Sequence, residues 1–198
     1  MDMLCLDLEG VLVPEVWQAV AVKTGIDALH KTTRDIPVYD DLMQYRLNIL
    51  KEHDIALSMI QNEIDTLEPL PGAVDFLSWA KARFQVAIIS DTFYEFGMPL
   101  MTKLGYPMLL CHRLQIEADR IVGYELRQED PKRHSVRAFK GLNYRVLAAG
   151  DSFNDVSMLE ESDAGFFFRA PANVTTVYPQ FETTENYDQL KAALLDAV

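Results

Sequence analysis

Asp7 and Glu9 stand two residues apart directly after an apolar run at residues 3–6, with Gly10 beside them. At the end of an extended strand that spacing points both carboxylates to the same side, and the glycine lets the chain turn sharply. One carboxylate can then act as a nucleophile and the other as a proton donor and acceptor, provided positive charge disciplines the pair. An Asp-x-Glu turn is also common in plain loops, so its meaning depends on the rest of the chain. Two further polar clusters follow apolar runs: Ser90-Asp91-Thr92, and Gly150-Asp151-Ser152-Phe153-Asn154-Asp155. Three carboxylate-bearing loops converging on one point need neutralising. A hard divalent cation such as Mg²⁺ takes oxygen ligands of this kind, commonly carboxylates together with a substrate phosphate. Lys132 offers a further cation, in Asp130-Pro131-Lys132-Arg133. That segment reads as a helix start, with Asp130 as N-cap and Pro131 at the first helical position. Cations in a first turn oppose the helix dipole at a cost of about 0.3–1 kcal/mol each. Either an anionic partner in a site explains one of them, or Glu129 and Asp130 offset both; the residues alone leave both readings open.

The elements that must position these groups can be read from hydrophobic periodicity. Short apolar runs at residues 3–6, 86–89, 146–149 and 165–168 look like buried parallel strands. Helical patterns separate them: Phe93, Phe96, Leu100 and Leu104 form one stripe behind a Thr92-to-Glu95 capping box, and Val74, Leu77 and Ala80 form another. Leu190 and Leu194 belong to a terminal helix. The alternation predicts an α/β fold, a Rossmann-like doubly wound parallel sheet whose carboxyl edge carries the polar clusters. Residues 114–127 break the rhythm and predict a hairpin turning at Glu117-Ala118-Asp119-Arg120. Between Val13 and Pro69 three helical patterns follow one another without a strand, at residues 15–24, 40–53 and 55–67. Residues 14–71 are therefore expected to form a helical cap inserted into an α/β core of residues 1–13 and 72–198. Arg46 lies at helical spacing from Leu42, Met43, Ile49 and Leu50, on the apolar stripe. It can snorkel to water along its stem, or face a cleft and grip a carboxylate through two parallel hydrogen bonds.

The net charge of −12 argues against nucleic acid and anionic membranes as partners, because both demand basic surfaces. Any anionic substrate must be attracted locally. Cys5 and Cys111 lie in apolar stretches and are expected as buried free thiols. No apolar run approaches a membrane span and no signal-peptide layout is visible, so a cytoplasmic location is expected. His30, His53, His112 and His134 show no pairing at metal spacing and read as surface or packing residues. Met98, Met101, Phe93, Phe96, Trp17 and the run Phe166-Phe167-Phe168 read as core.

Asp7-Leu8-Glu9-Gly10-Val11, Ser90, Lys132 and Asp151-Ser152-Phe153-Asn154-Asp155, in this order and spacing, resemble the four motifs of the haloacid dehalogenase superfamily. Glu9 departs from that pattern, where a second Asp is usual. Together with Glu15, Arg46, Ser90-Asp91-Thr92-Phe93-Tyr94-Glu95-Phe96 and Phe168-Arg169-Ala170-Pro171, it resembles one bacterial subgroup. These are bifunctional phosphoserine phosphatases and phosphoserine:homoserine phosphotransferases of serine and threonine biosynthesis.

The resemblance implies that Asp7 attacks phosphorus to form an aspartyl-phosphate, while Glu9 protonates the leaving oxygen and later deprotonates the acceptor. It implies Mg²⁺ held by Asp7, the Glu9 carbonyl and Asp151, with Asp155 supporting the metal shell. Ser90 and Lys132 would bind the phosphoryl oxygens. Asp91 and Asn154 would serve the substrate or orient Lys132, Arg46 would take the substrate carboxylate and Glu15 its amine. Phosphoserine and homoserine are the implied small-molecule partners; the sequence leaves the oligomeric state open, a homodimer being one option. Two other readings are weighed beside this one: a phosphatase of the same superfamily acting on another small phosphomonoester, and a non-catalytic protein that binds phosphorylated ligands.

Overall fold

The computed structural model describes residues 1–32, 35–36 and 38–198. Its centre is β1 (Asp2–Leu6), an apolar strand that pairs in parallel with β2 (Gln85–Phe93) on one side and β5 (Arg145–Gly150) on the other. Beyond β2 come β3 (Met108–Glu117) and the antiparallel β4 (Arg120–Glu125); beyond β5 come β6 (Ala164–Phe168) and β7 (Glu182–Thr184). The sheet order is β4-β3-β2-β1-β5-β6-β7. The chain builds outward from β1 through β2 to one edge, then returns to β5 and builds toward the other. The loops leaving β1 and β5 therefore diverge, and such a switch point opens a crevice at the carboxyl edge.

Side chains alternate across each central strand. Leu4 and Leu6 of β1 join Leu147 and Ala149 of β5 in one buried cluster; Met3 and Cys5 join Val146 and Ala148 in the other. The helices α4 (Ala73–Lys81), α5 (Tyr94–Lys103) and α9 (Tyr187–Asp196) cover the first face. On the second lie α6 (Pro131–Gly141), α7 (Val156–Glu161) and the short α8 (Ala172–Thr175). Both cysteines are buried free thiols, as expected.

Among the described residues, three α-helices and one 3-10 turn (Asp27–His30) lie between β1 and α4, with no strand: α1 (Val16–Thr24), α2 (Tyr39–Glu52) and α3 (Leu57–Ile64). Their apolar faces do not form a separate core. Val16, Val20, Met43, Ile49, Ile60 and Ile64 belong to the same buried cluster as Leu4 and Leu6. The β3–β4 hairpin rises to meet them. It turns through Ala118 and Asp119, both at positive φ (47° and 63°), a pairing suited to a two-residue turn between twisted strands.

Two expectations need correction. The Thr92-to-Glu95 capping box does not form: Thr92 is still in β2, Phe93 caps α5, and Glu95 instead accepts the Leu114 backbone N–H at 3.0 Å. The hairpin's first strand begins well before residue 114, because residues 108–112 pair in parallel with β2 before the strand turns to β4. The β2–β3 register slips between Ile89 and Phe93. Ser90, Asp91 and Thr92 fall in that irregular stretch, where bulges re-aim side chains toward sites. Among the described residues, no helix is long and apolar enough to cross a membrane.

Candidate active site

Asp7 is the first residue past β1, held in place by its N–H donating to the Ala149 carbonyl of β5 at 3.0 Å. Its side chain is buried against Lys132, whose Nζ lies 3.1 Å from Asp7 Oδ1, 2.5 Å from Asp155 Oδ1 and 3.6 Å from Asp91 Oδ2. Lys132 is in the first turn of α6 behind Pro131, as expected. Arg133, the second cation of that turn, is offset by Asp130 and Glu160, each at 2.9 Å. Lys132 thus follows the reading in which a partner in the site explains one cation, whereas the reading in which Glu129 and Asp130 offset both does not hold: Asp130 offsets Arg133 alone, and Glu129 forms no ion pair among the described residues. Asp130 itself has φ 41° and makes no side-chain cap; its carboxylate serves Arg133 and Ser157 instead.

Asp155 is fully buried, and both of its oxygens are engaged. Oδ1 faces Lys132, while Oδ2 accepts the N–H groups of Asp151 (2.8 Å) and Ser152 (3.0 Å). These bonds fold the loop after β5 into a tight turn that presents Asp151. Two glycines make room for the carboxylates. A Cβ on Gly150 would overlap the Asp155 carboxyl, and one on Gly10, at φ 78°, would overlap that of Asp151.

Asp7, Asp151 and Asp155 can bring one carboxylate oxygen each within 4.8 Å of one another. Among the described residues the Lys132 ammonium alone pairs with this cluster, at Asp7 and Asp155. Burial pushes the Asp7 carboxyl well above its usual range, with Asp155 repelling it and Lys132 opposing. Burial, then Asp155 and Glu15, lifts Asp151 to about 7. A cluster of hard oxygen donors that is short of positive charge fits a divalent cation. Asp91 behaves oppositely: burial works against its charge, yet Lys132, His112 and Asn154 outweigh burial and hold it well below the carboxylate range.

Glu9 projects from the turn that follows Asp7. That turn is closed by Gly10 N–H donating to Val13 O (2.8 Å) and by Leu12 and Val13 N–H both reaching Leu8 O. Glu9 Oε2 accepts the Val16 N–H at 2.8 Å, so the side chain sits at the N-terminus of α1. Burial and then the neighbouring Glu15 raise its carboxyl to about 7, against the Val16 N–H, the Thr92 hydroxyl and Arg46.

A cavity of about 300 Å³ opens over these groups. Of the sequence-predicted residues, Asp7, Glu9, Glu15, Arg46, Ser90, Asp91, Asp151 and Asn154 line it; Lys132 and Asp155 sit behind the wall. Lys132 thus holds Asp7, Asp91 and Asp155 rather than facing the open space. Asn154 Nδ2 donates to Asp91 Oδ2 at 2.7 Å. Arg46 is only 8% exposed. Its Nη2 donates to the Lys31 carbonyl at 3.0 Å, and its buried Nε has no hydrogen-bond partner among the described residues.

Three residues of the site carried no functional signal in the sequence reading. Trp17, read as core, lines the cavity and stacks under Arg46, with the guanidinium carbon 4.5 Å from the ring centroid. Tyr39 donates its hydroxyl to the Asp91 carbonyl at 3.0 Å. His112, read as a surface or packing residue, is buried at the back of Asp91. Its Nδ1 accepts the Arg127 backbone N–H at 3.0 Å, which places its proton on Nε2, 3.7 Å from Asp91 Oδ1. His134 points elsewhere, toward the backbone carbonyls of Glu129 and Asp130. An aromatic on a mixed helix and a histidine in a strand give no periodic signal that separates cavity wall from core.

Comparison with known proteins agrees with this arrangement. Residues 1–163 match the family model of haloacid dehalogenase-like hydrolases. Over 198 residues the chain is 61% identical to phosphoserine phosphatase ThrH of Pseudomonas aeruginosa, covering 100% of this chain and 97% of that protein. A phosphoserine phosphatase of Pseudomonas syringae pv. tomato is 59% identical over 197 residues, covering 99% of this chain and 83% of that one. The crystal structure of a phosphoserine phosphatase in apo form has a TM-score of 0.75 at 21% identity, covering 88% of this chain and 89% of that chain, a likeness of fold. The family match runs from β1 through the acidic loop after β5, and the sequence relatives span the whole chain: this protein belongs to the haloacid dehalogenase-like hydrolases.

Proposed function

We propose that the protein is a Mg²⁺-dependent phosphoserine phosphatase that passes the phosphoryl group from Asp7 to water or to homoserine. The observation that carries the choice of substrate is Arg46: a buried guanidinium with an unpartnered Nε on the wall of the cavity that also holds Asp7. Such a group calls for an anion, and its planar donors match a carboxylate. Glu15, on the same wall, suits an amine. A phosphomonoester that is also an amino acid answers both, and the two relatives with near-complete overlap carry the name phosphoserine phosphatase.

In this reading Asp7 attacks phosphorus as the bond to the serine oxygen breaks. Glu9, protonated at the start, gives its proton to that oxygen. The phosphoryl group is then held as an aspartyl-phosphate. Glu9, now ionised, takes the proton of a water or homoserine hydroxyl as that oxygen attacks phosphorus and frees Asp7. Lys132 fixes the orientation of Asp7 throughout, and Ser90 is available to the phosphoryl oxygens. Asp7, Asp151 and the Glu9 carbonyl would hold Mg²⁺, with Asp155 behind them; the ion supplies positive charge against the nucleophile and phosphoryl oxygens. The helices between β1 and α4 act as the cap, carrying Arg46, Glu15 and Trp17 over the sheet edge.

The test is to incubate the protein with phosphoserine and Mg²⁺, with and without homoserine, and to measure inorganic phosphate and phosphohomoserine. Phosphate alone is expected without homoserine, and phosphohomoserine when homoserine is added. Phosphate alone in both arms refutes the transfer, and no turnover in either refutes the phosphatase. Asp7→Asn should abolish both products while leaving the fold intact by circular dichroism.

A further inference from the structure

We propose that Trp17 determines substrate specificity by serving as the platform that keeps the Arg46 guanidinium charged, flat and open toward the cavity. The inference rests on Arg46 receiving the substrate carboxylate. A guanidinium this deeply buried ordinarily demands a carboxylate neighbour, because an uncompensated buried charge is costly. Among the described residues no carboxylate makes an ion pair with Arg46; Glu9 and Glu15 act on it only at longer range. A protein carboxylate in contact would balance the charge but would also occupy the donors that the substrate needs.

Trp17 meets the same demand differently. Its ring lies against the guanidinium at 4.5 Å, where the negative face of the indole attracts the cation without accepting any of its in-plane N–H groups. The Lys31 carbonyl takes one Nη2 proton, and among the described residues Nη1 reaches only the Met43 sulfur at 4.0 Å. Nε is buried and has no hydrogen-bond partner among the described residues. The platform is itself packed on other rings. Trp17 is buried edge-to-face against Phe96 at 5.5 Å, and Phe96 stands edge-to-face on Phe93 at 5.8 Å, at the end of β2. The tilt of the guanidinium is thereby referred to the sheet that carries Ser90, not only to its own helix.

Kinetics on two phosphomonoesters separate this role from packing. Phosphoserine has the carboxylate; phosphoethanolamine lacks it and keeps the amine. The readout is the ratio of kcat/KM between them. Arg46→Ala should collapse the ratio. Trp17→Leu should lower it about three- to thirtyfold, mainly through KM for phosphoserine, as expected for the loss of a cation–π contact. Trp17→Phe, which keeps a ring face, should restore it to within about threefold of wild type. In an Arg46→Ala background Trp17→Leu should change the ratio no further. Should Trp17→Leu fail to fold, Trp17→Met replaces it in the same comparison. If Arg46→Ala collapses the ratio while the Trp17 variant keeps it, or if the Trp17 variant slows both substrates equally, the platform is refuted and the carboxylate reading of Arg46 stands. If Arg46→Ala itself keeps the ratio, both fall together.

Discussion

Glu9 carries its carboxyl near neutrality because burial and Glu15 together outweigh the Val16 N–H, the Thr92 hydroxyl and Arg46. An acid that titrates at about 7 can give a proton and take one back within a single turnover, which is what transfer from serine oxygen to a second oxygen requires. The protonated form is the one competent to start. kcat/KM for phosphoserine should therefore fall as pH rises through about 7, and this limb should vanish in Glu9→Gln. The same substitution should slow phosphoserine turnover about 10²–10⁴-fold; with p-nitrophenyl phosphate, whose leaving group needs no proton, the burst that phosphorylates Asp7 should be spared while the later release of phosphate, which needs Glu9 as base, stays slow. At this scale much of the site was legible. Asp7, Lys132, Asp151 and Asp155 meet as their motifs imply, because each sits at a strand end or helix start whose place the topology dictates. Trp17 and His112 were not legible. Trp17 belongs to the wall only because Arg46 of α2 reaches across to its ring, and His112 reaches Asp91 only through the β2–β3 register.

The turn between β1 and α1 does more than connect them. Its bonds back to Leu8 and Val13 fix where Glu9 leaves the chain, and Gly10 keeps the space that the Asp151 carboxylate fills. Gly10→Ala would impose a positive φ on alanine, a strain of about 1–3 kcal/mol. It would also displace Asp151. Thermal unfolding should register the first effect, and a raised Mg²⁺ requirement for phosphate release the second. Elements with strong periodicity were visible in advance: the three helices after β1, the central strands and the terminal helix. The missed capping box shows where local pattern fails. Thr92 and Glu95 have the right spacing, but pairing with β3 carries β2 past Thr92 and its hydroxyl serves Glu9 instead. β7, three residues long and largely exposed, offers no apolar run to read.

Across the molecule, the helices between β1 and α4 are fastened to the β3–β4 hairpin at both ends. Tyr124 donates to Asp40 at 2.6 Å, Arg120 pairs with Asp54 at 2.7 Å, and Asp119 accepts from the Ser58 N–H (2.9 Å) and hydroxyl (2.6 Å). Asp119→Gly keeps a residue suited to positive φ while removing the Ser58 bonds. Amide exchange across α3 should speed up in that variant while the central strands stay protected. The charge of −12 is locally offset at this site, where the buried cation Arg46 lies on the cavity wall and Lys132 stands behind it against the carboxylates. One bond described above has a wider reach. Asp7 is anchored to the sheet through the Ala149 carbonyl, whereas the Glu9 carboxyl is anchored to the first turn of α1. Any swing of α1 away from the sheet must either snap the Val16 contact or drag the acid with it, leaving the nucleophile behind. On the proposed mechanism the two groups would work as an interlock: a substrate would be attacked by one half only while the other half is seated to let its leaving group go.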